Sequence, residues 1–237
     1  YDFAVANRAL GLGVLGWHSY LQSKMIPFES LEASKLNAKI FKEINTRAHL
    51  ASRKLATLFG EPEILKGYGR RNTTLTAVAP TTSSAFILGQ VSQSIEPVWS
   101  NIYVKDVAKT KVTIRNPFLE EVLERNGKND RDTWNDIRDH DGSVQHLDFL
   151  SELEKEVFKT FSELDQYSVI QQAAIRQQFI DQSQSLNLMI NPKMSAKEMN
   201  ALLIFAWENG VKSLYYQHST NAAQQFNKEK VCTTCEA

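Results

Sequence analysis

The chain has 237 residues and a mass of 26.9 kDa, which suits one large domain or two small ones with a core of useful size. Lys plus Arg and Asp plus Glu both total 27, so the formal net charge is zero; proteins that live on nucleic-acid backbones carry a basic surplus instead. Two cysteines exclude a disulfide-stapled secreted fold, and no apolar run approaches the ~20 residues of a membrane span.

The first residues, Tyr1 to Arg8, lack a basic segment followed by an apolar stretch, so no targeting signal is read and a cytoplasmic location is expected. A Tyr at position 1 points to processing or to a piece of something longer. Residues 8–24 predict a helix buried nearly all round, with Leu10, Leu12, Val14, Leu15, Trp17 and Leu21 covering most faces. Residues 30–59 carry a second helical period, stopped by Gly60 and Pro62; Ser30 is a weak start signal because no Glu or Gln follows at the third position. Residues 60–74 read as loop. Leu75 to Ala79 predict a short buried strand ended by Pro80, followed by a turn of hydroxyl residues, Thr81, Thr82, Ser83 and Ser84.

Residues 100–115 predict two short strands. Residues 117–125 and 131–139 predict short amphipathic helices. The stretch 126–165 is polar and charge-rich and reads as a surface excursion. Residues 167–185 predict a helix, and 186–190 a strand ending at Asn191-Pro192. Residues 195–209 predict a helix with a capping box, Ser195 with Glu198, and a terminal Gly210. Val211 to Tyr216 predict a further strand. From Ser219 onward the chain is polar without apolar period and reads as a mobile tail. Alternating strands and helices indicate an α/β layer or barrel.

Four features can carry chemistry. Gly11-Leu12-Gly13-Val14-Leu15-Gly16 is a literal G-x-G-x-x-G, but Ala4 to Leu10 do not make a convincing strand before it. Close approach between neighbouring elements explains these glycines better than NAD binding. Thr81 to Ser84 either cap a helix or hold a phosphate through hydroxyls and backbone N–H groups. Tyr215 and Tyr216, as neighbours in a strand, should face opposite sides and serve packing; the functional alternative is a redox relay of two phenols. Cys232 and Cys235 are the only thiols. They lack the other ligands of a zinc site and the helix that follows a thioredoxin motif, which leaves an exposed dithiol able to exchange with another disulfide, or two incidental thiols.

Together these features give the chain a resemblance. It resembles the C-terminal part of the large (α) subunit of class I ribonucleotide reductase, from about Asn7 to Ala237 and most weakly over 127–165. The stretches that carry the likeness are Arg71 to Leu75, Ala79 to Ser84, Ser94 to Pro97, Phe179 to Ser183, Gly210 to Gln217, and the terminal cysteine pair. The resemblance implies a helix-rich α/β fold, the closing part of a ten-stranded α/β barrel over 1–218, with a flexible redox-active tail over 219–237.

It implies that Thr81, Thr82, Ser83 and Ser84 bind the diphosphate of a ribonucleoside diphosphate. Tyr215 and Tyr216 would form a radical relay, with Tyr216 facing the small (β) subunit and Tyr215 the active site. Cys232 and Cys235 would re-reduce an active-site disulfide and be recharged by thioredoxin or glutaredoxin. The radical and its metal centre are expected on the small subunit, and allosteric nucleotides on an upstream part of the large subunit. No metal or cofactor is expected on this chain. The thiyl cysteine and its partners would lie upstream, so the chain alone should be inactive. Helix 195–209 is either a core helix or a docking surface for the small subunit's C-terminal peptide. The competing expectation is a non-enzymatic scaffold that presents a dithiol.

Overall fold

The computed structural model describes residues 1–89, 91–107 and 110–219. The cysteine pair and the rest of the expected tail lie outside the described residues. The helices are α1 (Asp2–Asn7), α2 (Trp17–Ser23), α3 (Leu31–Phe59), α4 (Thr82–Ile87), α5 (Pro117–Arg125), α6 (Arg131–Asp139), α7 (Glu152–Val157), α8 (Gln166–Gln177) and α9 (Ala196–Glu208). Regular strands are β1 (Ile102–Val107), β2 (Thr110–Arg115), β3 (Leu188–Met189) and β4 (Gln217–His218). No helix among the described residues is long and apolar enough to cross a membrane.

Local chemistry explains the helices whose limits match expectation. The Ser30 hydroxyl accepts from Ala33 N–H and opens α3 without any acidic partner. Asn116 and Asp130 cap α5 and α6, with Pro117 at the first turn of α5. Ser195 and Glu198 complete a capping box at α9. Helix α3, 29 residues and therefore about 43 Å long, buries Ala33, Asn37 and Phe41 at four-residue spacing. It crosses α8 there, and Asn37 Nδ2 donates to the Gln172 carbonyl at 2.7 Å. Leu31, Leu50 and Leu58, which continue its apolar period, are exposed.

The predicted helix over 8–24 starts only at Trp17. Residues 10–12 are extended and lie beside 74–78. Leu12 N–H donates to Leu75 O and Ala77 N–H to Leu12 O, in a parallel bridge with Thr76. The glycines permit this approach: a Cβ on Gly13 would sit 2.4 Å from the Ala77 carbonyl oxygen. Val78 bridges Gln184 in parallel on the other side, and β3 pairs with β4 in parallel. Four extended segments therefore lie in the order 10–12, 74–78, 182–190, 215–218. Helical segments connect successive members, as parallel pairing requires. The architecture is helix-rich α/β. Among the described residues no sheet closes into a barrel; β1 and β2 form a separate antiparallel hairpin.

Two more expectations change. Helix α8 ends at Gln177 rather than 185, because Asp181 is drawn into the neighbouring segment. Its carboxylate accepts from Leu75 N–H (2.7 Å), Thr76 N–H (2.9 Å) and the Thr76 hydroxyl (3.1 Å), while its own N–H donates to Thr76 Oγ1. The strand expected over 211–216 is regular only from Gln217. Val211 N–H still closes the end of α9 on Ala206 O, and side chains tie the next residues: Lys212 Nζ to Asp181 O and Ser213 Oγ to Gln184 O.

The core has two parts. The larger packs Leu21, Phe28, Phe41, Ile170, Leu188 and Leu202 between the helices and the extended segments. The second corrects the surface excursion expected over 126–165: Trp134, Ile137, Val144, Leu147, Val157 and Phe158 join Leu119 and Leu123 in a core of their own. Each such side chain contributes roughly 1.5–3 kcal/mol on full burial. The short helices there show charge because α6 buries only two residues and α7 one.

Candidate functional site

Between the ends of the parallel segments and the β1–β2 hairpin lies a cavity of about 630 Å³. Thr82, Tyr215, Tyr216, Glu96, Trp99 and His218 are among its lining residues. The hydroxyl turn and the tyrosine pair, 131 positions apart between Ser84 and Tyr215, thus reach one space.

The hydroxyl turn is divided in its tasks. Thr81 precedes α4 but makes no side-chain cap. Its Oγ1 instead accepts from Ser94 N–H at 2.7 Å. Thr82 Oγ1 donates to Gln93 Oε1 at 3.0 Å and faces the cavity. Ser83 and Ser84 are exposed and are not part of the cavity wall. Thr81 and Thr82 thereby fasten the turn to the 92–94 segment.

Tyr215 and Tyr216 depart from strand alternation. Their ring centroids are 4.1 Å apart at 51°, and both line the cavity. Opposite facing holds only for regular pleated backbone, and the regular strand begins one residue later, at Gln217. Tyr215 N–H donates to Leu186 O and Tyr216 O accepts from Leu188 N–H, so the pair is pinned between ladder bonds. Hydrogen bonding to the Tyr216 phenol, then its charge, hold the Tyr215 hydroxyl above the ordinary phenol value of 10. Two phenols in ring contact can exchange an electron over a short distance while each proton shifts locally.

Behind the tyrosines lies a buried polar link that the sequence does not disclose. Asn187 Nδ2 donates to Glu96 Oε1 at 2.6 Å, and Asn187 Oδ1 accepts from Tyr216 N–H at 2.9 Å. Glu96 and Asn187 are only 3% and 7% exposed. Burial pushes the Glu96 carboxyl upward, opposed by hydrogen bonds from Trp99 and Asn187. Trp99 stands edge-on to both Phe161 and His218, and burial lowers the His218 imidazole. The one hint in the sequence was a Glu between Ile95 and Pro97, without a visible partner.

The Gly11–Gly16 segment runs from the extended residues 10–12 to Gly16, the N-cap of α2. Gly11 and Gly13 belong to the extended segment against Ala77, which accounts for the glycines by close approach. In α9, Leu202 and Ala206 are buried while Ile204 and Trp207 are exposed, so the helix has both a core face and a free apolar face.

An α/β scaffold that brings a hydroxyl turn and paired phenols to one cavity has counterparts among known proteins. The family described as "Ribonucleotide reductase, barrel domain" matches residues 4–63 and 62–217, and the chain belongs to this family. A ribonucleoside-diphosphate reductase large subunit of Invertebrate iridescent virus 3 is 41% identical over 98% of this chain and 39% of its own length. Its counterpart in Invertebrate iridescent virus 6 is 43% identical over 93% of this chain and 23% of its own length. The solved α subunit of the class Id ribonucleotide reductase of Actinobacillus ureae superposes with a TM-score of 0.87 at 54% identity, covering 94% of this chain and 41% of that one. The chain thus spans well under half the length of these relatives.

Proposed function

We propose that this chain is the C-terminal part of a ribonucleoside-diphosphate reductase large subunit. In this role it contributes three devices to the reduction of ribonucleoside diphosphates to deoxyribonucleoside diphosphates. The turn at Thr81 to Ser84 holds the substrate diphosphate. Tyr215 and Tyr216 carry an oxidising equivalent from the small subunit toward a cysteine on the upstream part. Cys232 and Cys235 reduce the disulfide that turnover leaves and are recharged by thioredoxin or glutaredoxin. The four parallel segments are strands of a ten-stranded barrel that the upstream part completes, and the exposed Leu50, Leu58 and Phe59 of α3 face that part. The free face of α9, with Ile204 and Trp207, receives the small subunit's C-terminal peptide. The radical and metal centre belong to the small subunit, the regulatory nucleotides to the upstream part, and the assembly is cytoplasmic.

The observation that carries this proposal is the contact of the two phenols, 4.1 Å between centroids, in the cavity that Thr82 also lines. The test is CDP reduction by this chain with a separately made upstream part, the small subunit and thioredoxin. Turnover is expected from the mixture and from no single piece. Tyr215→Phe should abolish it while the variant folds normally. Undiminished turnover of Tyr215→Phe would remove the relay from the proposal.

A further inference from the structure

No metal site is expected on this chain from its sequence, yet three metal-binding side chains converge outside the cavity, in the second core region. Asp136 lies in α6, His140 directly follows that helix, and His146 comes from the next loop. The ligating atoms of all three lie within 4.8 Å of one another. His140 Nδ1 is 3.2 Å from Asp136 Oδ1, and His146 Nε2 is 3.1 Å from Asp136 Oδ2. The two imidazoles stack with centroids 3.7 Å apart at 21°, so both present a nitrogen to the same carboxylate.

We propose that Asp136, His140 and His146 form a site for a divalent transition cation of the Zn²⁺ class. Two features beyond the composition of the cluster support it. The first is spacing. Ligands held tetrahedrally at 2.0–2.1 Å from Zn²⁺ stand about 3.3 Å apart, and each imidazole nitrogen already stands at 3.1–3.2 Å from one oxygen of the Asp136 carboxylate, with all the ligand atoms within 4.8 Å of one another. The second is preorganisation. Asp136 and His140 are four residues apart and share one helix face. The turn that returns His146 to them is fixed: Gly142 has φ +83, its N–H donates to Ile137 O, and its carbonyl accepts from Asn101. A Cβ on Gly142 would fall 1.9 Å from Ser100 Oγ. Val144 and Leu147, on either side of His146, are buried in the second core.

Two borderline imidazoles and one harder carboxylate form a three-ligand set that leaves a coordination position for water. It suits Zn²⁺, Co²⁺ or Ni²⁺ and is poorly matched to Mg²⁺, which prefers oxygen ligands. In the present geometry His140 Nδ1 also lies 2.9 Å from the Asp136 carbonyl oxygen. A cation at Nδ1 would take the place of the ring proton there, and that proton would sit on Nε2 instead. Its structural effect would be to tie the end of α6 to the 143–147 turn.

The test uses the full chain with Cys232 and Cys235 both changed to Ser, which removes thiolate ligands from the measurement. Co²⁺ is titrated by visible absorbance and Zn²⁺ by competition with a chromogenic chelator. One equivalent should bind, with nitrogen–oxygen ligand spectra for Co²⁺, and Mg²⁺ should not compete. His146→Ala and, separately, His140→Gln should each weaken binding at least about tenfold. His49→Ala should leave it unchanged. Circular dichroism checks the fold, and His140→Gln, at an exposed helix end, serves where His146→Ala fails to fold. Absence of saturable binding, or binding that survives the loss of either histidine, would overturn the site.

Discussion

Asn187 is the residue whose removal should be felt most widely in the cavity wall. Its Nδ2 supplies the 2.6 Å hydrogen bond to Glu96, and its Oδ1 receives Tyr216 N–H at 2.9 Å. Asn187→Ala deletes both. A hydrogen bond to a charged group contributes about 1.5–3 kcal/mol, and the Tyr216 N–H, only partly shielded from water, adds about 1 kcal/mol. The expected loss in guanidinium unfolding at pH 7 is therefore about 2–4 kcal/mol. The larger share arises because a carboxylate that is 3% exposed is left without that donor. Glu96→Gln removes the charge, so in that background Asn187→Ala should cost about 1–2 kcal/mol less, a coupling that a double-mutant cycle reads directly. The pH dependence carries the same sign. Burial raises the Glu96 carboxyl in the folded state. The folded state therefore holds this proton more tightly than the unfolded state, and the site loses stability as pH rises from the ordinary carboxylate range through the raised value. The Asn187→Ala penalty should shrink as pH falls through that window. A cost under about 0.5 kcal/mol, or the same cost with and without Glu96→Gln, would refute a charge-centred link.

Gly13→Ala places a Cβ 2.4 Å from a backbone oxygen, whereas Gly11→Ala places one 3.2 Å from the Ala77 Cβ. Thermal unfolding should show a loss of about 2–3 kcal/mol for the first and under about 1 kcal/mol for the second; equal losses would contradict the close-approach account. His18 is fully buried, its Nδ1 accepts from Val98 N–H, and burial lowers its pKa from 6.5 to about 3. Its contribution is complete above pH 6.5 and is lost as pH falls toward 3, at up to about 1.4 kcal/mol per pH unit. Urea midpoints between pH 7.5 and 5 should fall less steeply for His18→Gln than for the parent, and parallel slopes would rule the histidine out.

The helices with explicit end signals were legible. Ser30, Asn116, Asp130 and Ser195 cap within three residues of their own chain, so their chemistry is local. Strands were also read at 75–79 and 186–190, but the extended run 10–12 and the pairing of the segments were not, because the partners are distant. Leu12 meets Thr76, Val78 meets Gln184, and no period over three or four residues reports that pairing. Helix α8 was overextended for the same reason: Asp181 looks like a continuing helical residue until Leu75 and Thr76 stand beside it. The tyrosine pair was visible as two phenols, but their shared side depended on a backbone irregularity set by contacts to Leu186 and Leu188. The second core hid behind the charges of α6, which buries only Trp134 and Ile137.

The parallel pairing of β4 with β3 also fixes where the rest of the chain is tethered. His218 packs against Trp99 at 4.6 Å, on the rim of the cavity. Cys232 follows His218 by 14 residues. A chain advances at most about 3.6 Å per residue, so that thiol is held within about 50 Å of the rim. One dithiol within such a radius amounts to a local concentration on the order of a few millimolar. Any exchange between it and a group in the cavity is unimolecular and indifferent to dilution. A carrier dithiol at micromolar concentration in solution meets the same group roughly a thousand times less often. In the proposed function, the anchor at His218 would favour exchange with the chain's own dithiol and leave the soluble carrier to recharge it.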